Sequence, residues 1–284
     1  MNRIENETWT TVIKPKTGLF DIDFKEIIAY KDLIFMFVKR NIVVQYKQTI
    51  LGPVWLFMSP VFTTVVYMVV FGGIAKIPTD GLPQPLFYLS GICLWNYFSS
   101  CMQRTSSVFL ENEYIFGKVY FPRLIMPITT VISNLITMGI QLLLFVIVYV
   151  YYVYHGFLVT PNIYILLAPV LVIMLAGLAI GFGIIVSSMT TKYKDLQQLF
   201  GFFVQLWMYA TPVIYPLSEL SPDKQWIAAL NPITSIFEAF KYAVMGQGSF
   251  NWAHLGYSFG VMCVVLFFGV LMFNRVQRKF MDTV

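Results

Sequence analysis

The chain has 284 residues, of which 58% are hydrophobic, 17% aromatic and only 12% charged. A soluble domain carries roughly a quarter charged residues, so an ordinary water-facing surface is excluded. The formal net charge of +5 does not point to nucleic acid, because the basic residues are scattered around hydrophobic segments and form no stripe.

In chain order, the first ten residues contain Glu5 and Glu7, and no apolar run of a cleavable signal follows them. Insertion is therefore expected to rely on internal spans. Residues 1–53 read as a cytoplasmic arm. Within it, Ile27, Ile28, Ile34 and Phe35 recur near helical spacing, interrupted by Lys25, Lys31, Asp32, Lys39 and Arg40. This pattern predicts an amphipathic helix lying on the membrane surface. Docking of the arm on the protein itself is the alternative.

Residues 54–284 predict an all-α polytopic membrane domain with six transmembrane helices, near 54–75, 86–102, 128–154, 163–189, 200–215 and 255–273. From Leu124 to Thr191 there is no Asp, Glu, Lys or Arg, whereas about 20 apolar residues already span a bilayer. Gly156, Pro161 and Asn162 supply the turn that splits this run. Pro212 and Pro216 interrupt the fifth span, and a broken helix is tolerated in a membrane only where protein or a water-filled cavity satisfies the freed backbone. Residues 217–254 mix Trp226, Ile227, Leu230, Ile236, Phe237, Phe240 and Tyr242 with Glu219, Asp223, Lys224, Glu238 and Lys241. They predict short re-entrant or surface helices at the outer mouth.

Orientation follows from Lys and Arg, which cytoplasmic loops hold in excess. With both termini inside, sixteen of the 19 fall on the cytoplasmic side, leaving only Lys76, Lys224 and Lys241 outside. Trp55, Trp95 and the tyrosines between 149 and 154 fit interfacial anchoring. The pairs Gly177 with Gly181 and Gly256 with Gly260 permit close helix approach, either inside the bundle or at a dimer seam. Cys93, Cys101 and Cys263 lie in apolar runs, and an odd number there reads as small hydrophobes.

Catalytic chemistry is not expected of this chain. Membrane enzymes and ion-driven transporters keep ionisable groups in their spans, and the six predicted spans hold none. His155 and His254 sit at predicted membrane edges without a neighbouring ligand or acid. Gly117-Lys118 is followed by Val119, where a phosphate-binding loop needs Ser or Thr. Energy for uphill transport would therefore come from a partner, and no metal or cofactor site is expected here. The surface expected to meet that partner is the cytoplasmic loop ENEYIFGKVYFPRLIMP, with acids first, bases later and Pro122 and Pro127 as stops. A short helix over 111–118 parallel to the membrane suits this charge order. An ordinary interfacial loop suits it equally.

With YKQTILGPVW and Ser59-Pro60 leading into the first span, the loop GKVYFPRLIMP, and ATPVIYP followed by Asn231 to Ile233, the chain resembles the ABC-type polysaccharide export permeases. These are the transmembrane subunits of O-antigen (lipopolysaccharide), capsule and teichoic acid exporters. The resemblance runs along nearly the whole chain. It implies a multi-pass permease of the bacterial inner membrane, a homodimer bound to two copies of a separate ABC ATPase that holds ATP and Mg, and a lipid-linked polysaccharide as cargo. It also makes the loop an ATPase-coupling element, with Glu111, Glu113, Tyr114, Lys118 and Arg123 as candidates.

Sugars present apolar C–H faces, so aromatic platforms with polar edges hold them without a charged site that would trap them. Tyr67, Phe71, Trp207, Tyr209 and Tyr215 are the candidates for such a path, although so aromatic a chain also uses these residues in packing. A permease for drugs or small lipids is the nearest alternative. A membrane-embedded transferase on lipid-linked sugars is the other, and it would have to assemble Asp80, His155, Glu219 or His254.

Overall fold

The computed structural model describes residues 24–47, 52–119, 121–157, 160–191 and 193–283. Residues 1–23 of the expected arm lie outside the described residues. All regular structure among the described residues is helical. Helices α1 (Phe24–Ala29) and α2 (Lys31–Tyr46) form the arm. Then follow α3 (Trp55–Tyr67), α4 (Gln84–Ser106) and the short α5 (Val108–Glu111) and α6 (Glu113–Phe116). Helices α7 (Ile125–Tyr154), α8 (Ala168–Thr190) and α9 (Leu196–Tyr209) come next. The chain closes with α10 (Pro222–Leu230), α11 (Pro232–Met245) and α12 (Trp252–Thr283). Proline stands in the first turn of α4, α8, α10 and α11, where its fixed φ suits a helix and its missing N–H costs nothing.

Among the described residues, four segments are long and apolar enough to cross a membrane: Gly52–Ile74, Ile125–Tyr154, Ile163–Thr190 and Trp252–Val276. The expected second and fifth spans differ from these. Helix α4 has 23 residues, about 35 Å at 1.5 Å per residue, but Ser90, Asn96, Ser99, Ser100 and Gln103 dilute its apolar character. It packs against α3, α7, α8, α9 and α11, so protein and not lipid surrounds it. Helix α9 has 14 residues, about 21 Å against a hydrocarbon core of about 30 Å. The fifth span was expected to continue to Tyr215; the helix instead ends at Tyr209, and turns lead to Pro216.

Close approach of α8 to its neighbours holds the bundle together. A Cβ on Gly181 would stand 2.8 Å from Val265 Cγ1, one on Gly269 would stand 2.9 Å from the Gly181 carbonyl, and one on Gly183 would meet Thr105 at 2.6 Å. Gly177 and Gly181 thus serve internal packing of α8 on α12. Around Gly256 and Gly260 nothing lies within 4 Å, so this second pair joins no helices inside the protomer. The central core gathers Leu94, Phe98, Met102, Leu175, Leu178, Ile236 and Phe237.

Smaller clusters close the two ends. At one, Phe109, Phe116, Phe121, Ile125 and Phe273 pack with Phe37 of α2; at the other, Leu86, Phe87, Tyr88, Phe145 and Met245 meet. Helix α2 therefore docks on the protein, burying Phe37 and Val38 and placing Asn41 Nδ2 3.4 Å from Ser133 Oγ. Ile28 and Phe35, two markers of the predicted amphipathic face, are 68% and 72% exposed. They leave an apolar surface turned away from the bundle, as an interfacial helix requires.

Gly181→Leu is expected to destabilise the bundle by about 1–3 kcal/mol through overpacking, whereas Gly260→Leu changes stability by less than about 0.5 kcal/mol. Thermal unfolding of the detergent-solubilised chain compares the two. Equal melting temperatures would refute the assignment of Gly181 to an internal contact.

Candidate functional site

At the end of the bundle that carries α2, the connection between α4 and α7 makes two single helical turns that break at Asn112. The expected helix over 111–118 is thus divided. Glu111 closes α5, where its Oε1 accepts a hydrogen bond from the Ser107 hydroxyl at 2.6 Å, and Asn112 Nδ2 donates to the Val108 carbonyl at 3.0 Å. Two groups that bond back onto α5 terminate it, and α6 starts afresh at Glu113. Glu113, Tyr114, Gly117 and Lys118 are exposed, with Lys118 Nζ lying 3.5 Å above the Tyr114 ring.

Beneath this exposed turn lies an aromatic root. Phe116 is buried, 6.0 Å from Phe109 and 5.8 Å from Phe121 between ring centroids, and Phe109 stacks on Phe273 of α12 at 4.5 Å. Phe121 in turn meets Phe37 of α2 at 5.9 Å. Arg123 is buried with its guanidinium 5.3 Å from the Phe116 centroid, and desolvation pulls its pKa below the usual value. Of the five coupling candidates, Glu113, Tyr114 and Lys118 form one exposed surface, Glu111 belongs to the preceding turn, and Arg123 belongs to the root. Packed rings connect the turn to α2 and α12, and Ile125 of α7 joins the same cluster.

The five aromatic candidates separate similarly. Tyr67 meets Phe71 at 5.3 Å, and its hydroxyl reaches Met208 Sδ at 3.4 Å, which ties α3 to α9. Trp207 is enclosed by Phe98, Phe182 and Phe203 at 5.6, 5.3 and 5.4 Å. Tyr67, Phe71, Trp207 and Tyr215 all pack on the central core. Tyr209 alone of the five is exposed, at 55%.

At the opposite end, two groups that sequence reading left without a role organise the structure. Asn231 accepts from Trp207 Nε1 at 3.3 Å and from the Ile233 N–H at 3.2 Å, and it donates to the Ala210 carbonyl at 3.2 Å and to Thr211 Oγ1 at 3.0 Å. One amide thereby caps α11 and fixes the end of α9. Lys241, counted from sequence as an outer surface charge, is 2% exposed. Its Nζ donates to the Pro212 carbonyl at 2.7 Å, lies 3.7 Å from Glu238 Oε1 and sits 4.0 Å over the Phe87 ring. Desolvation pulls this ammonium down to about 8, opposed by the charges of Glu238 and Asp80. The i, i+3 spacing of Glu238 and Lys241 was visible beforehand, but on a helix it suits a solvated pair just as well.

Glu238 also accepts from the Ser249 N–H at 3.1 Å. That approach needs a glycine at 248, whose φ is +117° and whose Cβ would meet the Glu238 carbonyl at 3.2 Å. Around these residues opens a cavity of about 1270 Å³ bordered by Asp80, Gln225, Trp226, Glu238, His254 and Tyr257, among others. Of the groups a transferase would have to assemble, Asp80 and His254 share this cavity, whereas His155 hydrogen-bonds the Tyr151 carbonyl elsewhere. No cluster of three or more metal-ligating side chains occurs among the described residues.

Residues 32–245 match the ABC2_membrane family, ABC-2 type transporter. The O-antigen export system permease protein RfbA of Myxococcus xanthus is 26% identical over 220 residues, covering 76% of this chain and 82% of that protein. RfbA of Klebsiella pneumoniae is 24% identical over 254 residues, covering 88% and 94%. The polysialic acid transport protein KpsM of Escherichia coli is 25% identical over 250 residues, covering 86% and 93%.

Lys241→Met leaves the Glu238 carboxylate buried without its cation and is expected to cost about 3–5 kcal/mol. Combining it with Glu238→Gln should recover much of that loss. A double-mutant cycle on unfolding midpoints tests this, and strictly additive losses would mean that the pair is not coupled.

Proposed function

We propose that this chain, which belongs to the ABC-2 type transporter family, is the permease subunit of an exporter that moves a lipid-linked, O-antigen-like polysaccharide across the bacterial inner membrane. The observation that supports the cargo assignment is the match, over 76% to 88% of this chain, to relatives named for O-antigen export and polysialic acid transport. ATP is hydrolysed by a separate subunit, and this chain converts the resulting motion into transport. Two permeases pair with two such subunits, both termini face the cytoplasm, and α4 and α9 complete six membrane segments.

The exposed turn Glu113–Lys118 is the surface on which the ATPase acts. Its support is mechanical: an exposed tip that mixes charge with Tyr114, on a root of packed aromatic rings, transmits displacement because close-packed interiors have low compressibility. The conduit runs between protomers along the α3 and α9 faces. There Val65, Val66, Val69, Phe202 and Leu206 stand exposed with Tyr209, and Tyr67 and Phe71 lie behind them. Such a wall binds sugar rings through their apolar faces and releases them readily, as a conduit must.

Deletion of the gene is expected to remove the surface polymer, and the wild-type chain to restore it. Unchanged surface glycan in the deletion strain would overturn the reading. Glu113→Lys should leave the protein inserted at normal levels yet abolish permease-stimulated ATP hydrolysis and export, because it reverses charge on the exposed turn. Phe116→Ala removes a buried ring and should instead lower stability, by about 3–5 kcal/mol. Normal export by Glu113→Lys would remove this turn from the coupling surface.

A further inference from the structure

The cavity at the outer end has features of a built binding site that the conduit reading does not use. Three aromatic side chains line its wall, Trp226, Phe250 and Tyr257, and two of them stand on separate helices. Trp226 of α10 is 60% exposed, and Tyr257 of α12 is held in place because its hydroxyl donates to the Leu230 carbonyl at 3.0 Å. Held rings with open faces are platforms for apolar C–H surfaces.

The polar groups of the cavity point to one ligand chemistry. Glu238 is 3% exposed, and its Oε1 has the Lys241 ammonium at 3.7 Å as an ion-pair partner but no hydrogen-bond partner, which leaves acceptor capacity unused. Asp80 is held in the same wall by the Ser218 hydroxyl at 2.6 Å. In a smaller recess on the same side, Thr234 joins Glu238 and His254 in the lining, and Thr234 Oγ1 is likewise buried without a partner. Lys241, the cation nearest to Glu238, does not line the large cavity. The site thus presents carboxylate acceptors and flat apolar faces, with His254 the only basic side chain in its wall among the described residues and Lys241 in an adjoining recess with Asp80 and Glu238.

We propose that this cavity is an exit subsite for neutral or amino-sugar units of the exported glycan, whose hydroxyl or ammonium groups donate to Glu238 and Asp80 while the rings lie on Trp226 and Tyr257. The proposal rests on the polysaccharide reading above and adds a selection rule. Polymers of acidic sugars bring carboxylates against a cluster that stays net negative, since Asp80 and Glu238 face the single ammonium of Lys241, and are disfavoured there. The subsite takes hold of the chain as it leaves, and its hydrogen bonds must be few enough for release.

The test uses the full-length chain in nanodiscs, with mannotriose, tri-glucosamine and tri-galacturonate as probes and saturation-transfer NMR as the readout. Mannotriose and tri-glucosamine should bind at least about tenfold more tightly than tri-galacturonate, and Trp226→Ala should weaken mannotriose binding by about tenfold. Glu238→Gln should narrow the gap between neutral and acidic probes. Because that change touches a buried ion pair, Asp80→Asn is measured beside it as a variant at a less buried position. Equal binding of all three probes, or an unaltered affinity in Trp226→Ala, would overturn the subsite. Polymer loss in the deletion strain fully restored by a Trp226→Ala chain of wild-type affinity overturns the subsite alone. Unchanged polymer in that strain overturns the export reading, and the nanodisc measurement then still decides the cavity.

Discussion

Hydrocarbon offers no hydrogen-bond partner, and this constraint shapes every level of the fold. Backbone groups are satisfied by helices, and polar side chains within helices turn back onto their own preceding turn. Ser133 donates to the Thr129 carbonyl at 2.7 Å, Ser188 to the Ile184 carbonyl at 2.8 Å and Thr129 to the Met126 carbonyl at 2.8 Å. Polar atoms are thereby hidden within single helices, and glycines are left to bring α8 within reach of α4 and α12. Where lipid cannot drive helices together hydrophobically, such close approach supplies the association energy.

The same constraint sends charge to the two ends, and the ends use it differently. At the end with α2, charges stand in the open on a short turn while apolar rings anchor it. At the other, a cation is drawn inside and must be matched by a carbonyl, a carboxylate and an aromatic face. A buried pair of this kind is weak evidence of stability but strong evidence of a specified arrangement. Lys241 ties α11 to the turn after α9 and to α4, and Asn231 ties α9 to the start of α11. Helix α11 is therefore clamped to α4 and to the end of α9 by polar groups.

Function follows from that division. On the proposed function, a permease driven by a separate subunit needs a place to be pushed and a path that responds. The aromatic root under Glu113 joins α2, at one end of the bundle, to the long helices α7 and α12, and the polar clamp at the other end fixes the rim of a cavity with exposed rings and carboxylates. Between them lie uncharged stretches of helix, which on the proposed function offer a sugar chain no site at which to stop.

Composition and uncharged runs determined the class of this protein, because helices are the economical answer to a lipid solvent. They placed the four apolar membrane-length segments to within a few residues, and the turn signals at Gly156 and Pro161 separated α7 from α8. The charges in the loop after α4 marked the surface turn, since Glu113 and Lys118 have nowhere else to go. Tertiary structure alone decided the remainder. Whether α4 faces lipid or protein depends on what surrounds it, and its own residues are compatible with either. The helix break at Asn112 depends on two side chains bonding backward, a choice that local propensity leaves open. Lys241 and Glu238 carry the spacing of a solvated pair, and only the packing of Phe87 and Pro212 against them turned that pair into the buried centre of its end of the bundle.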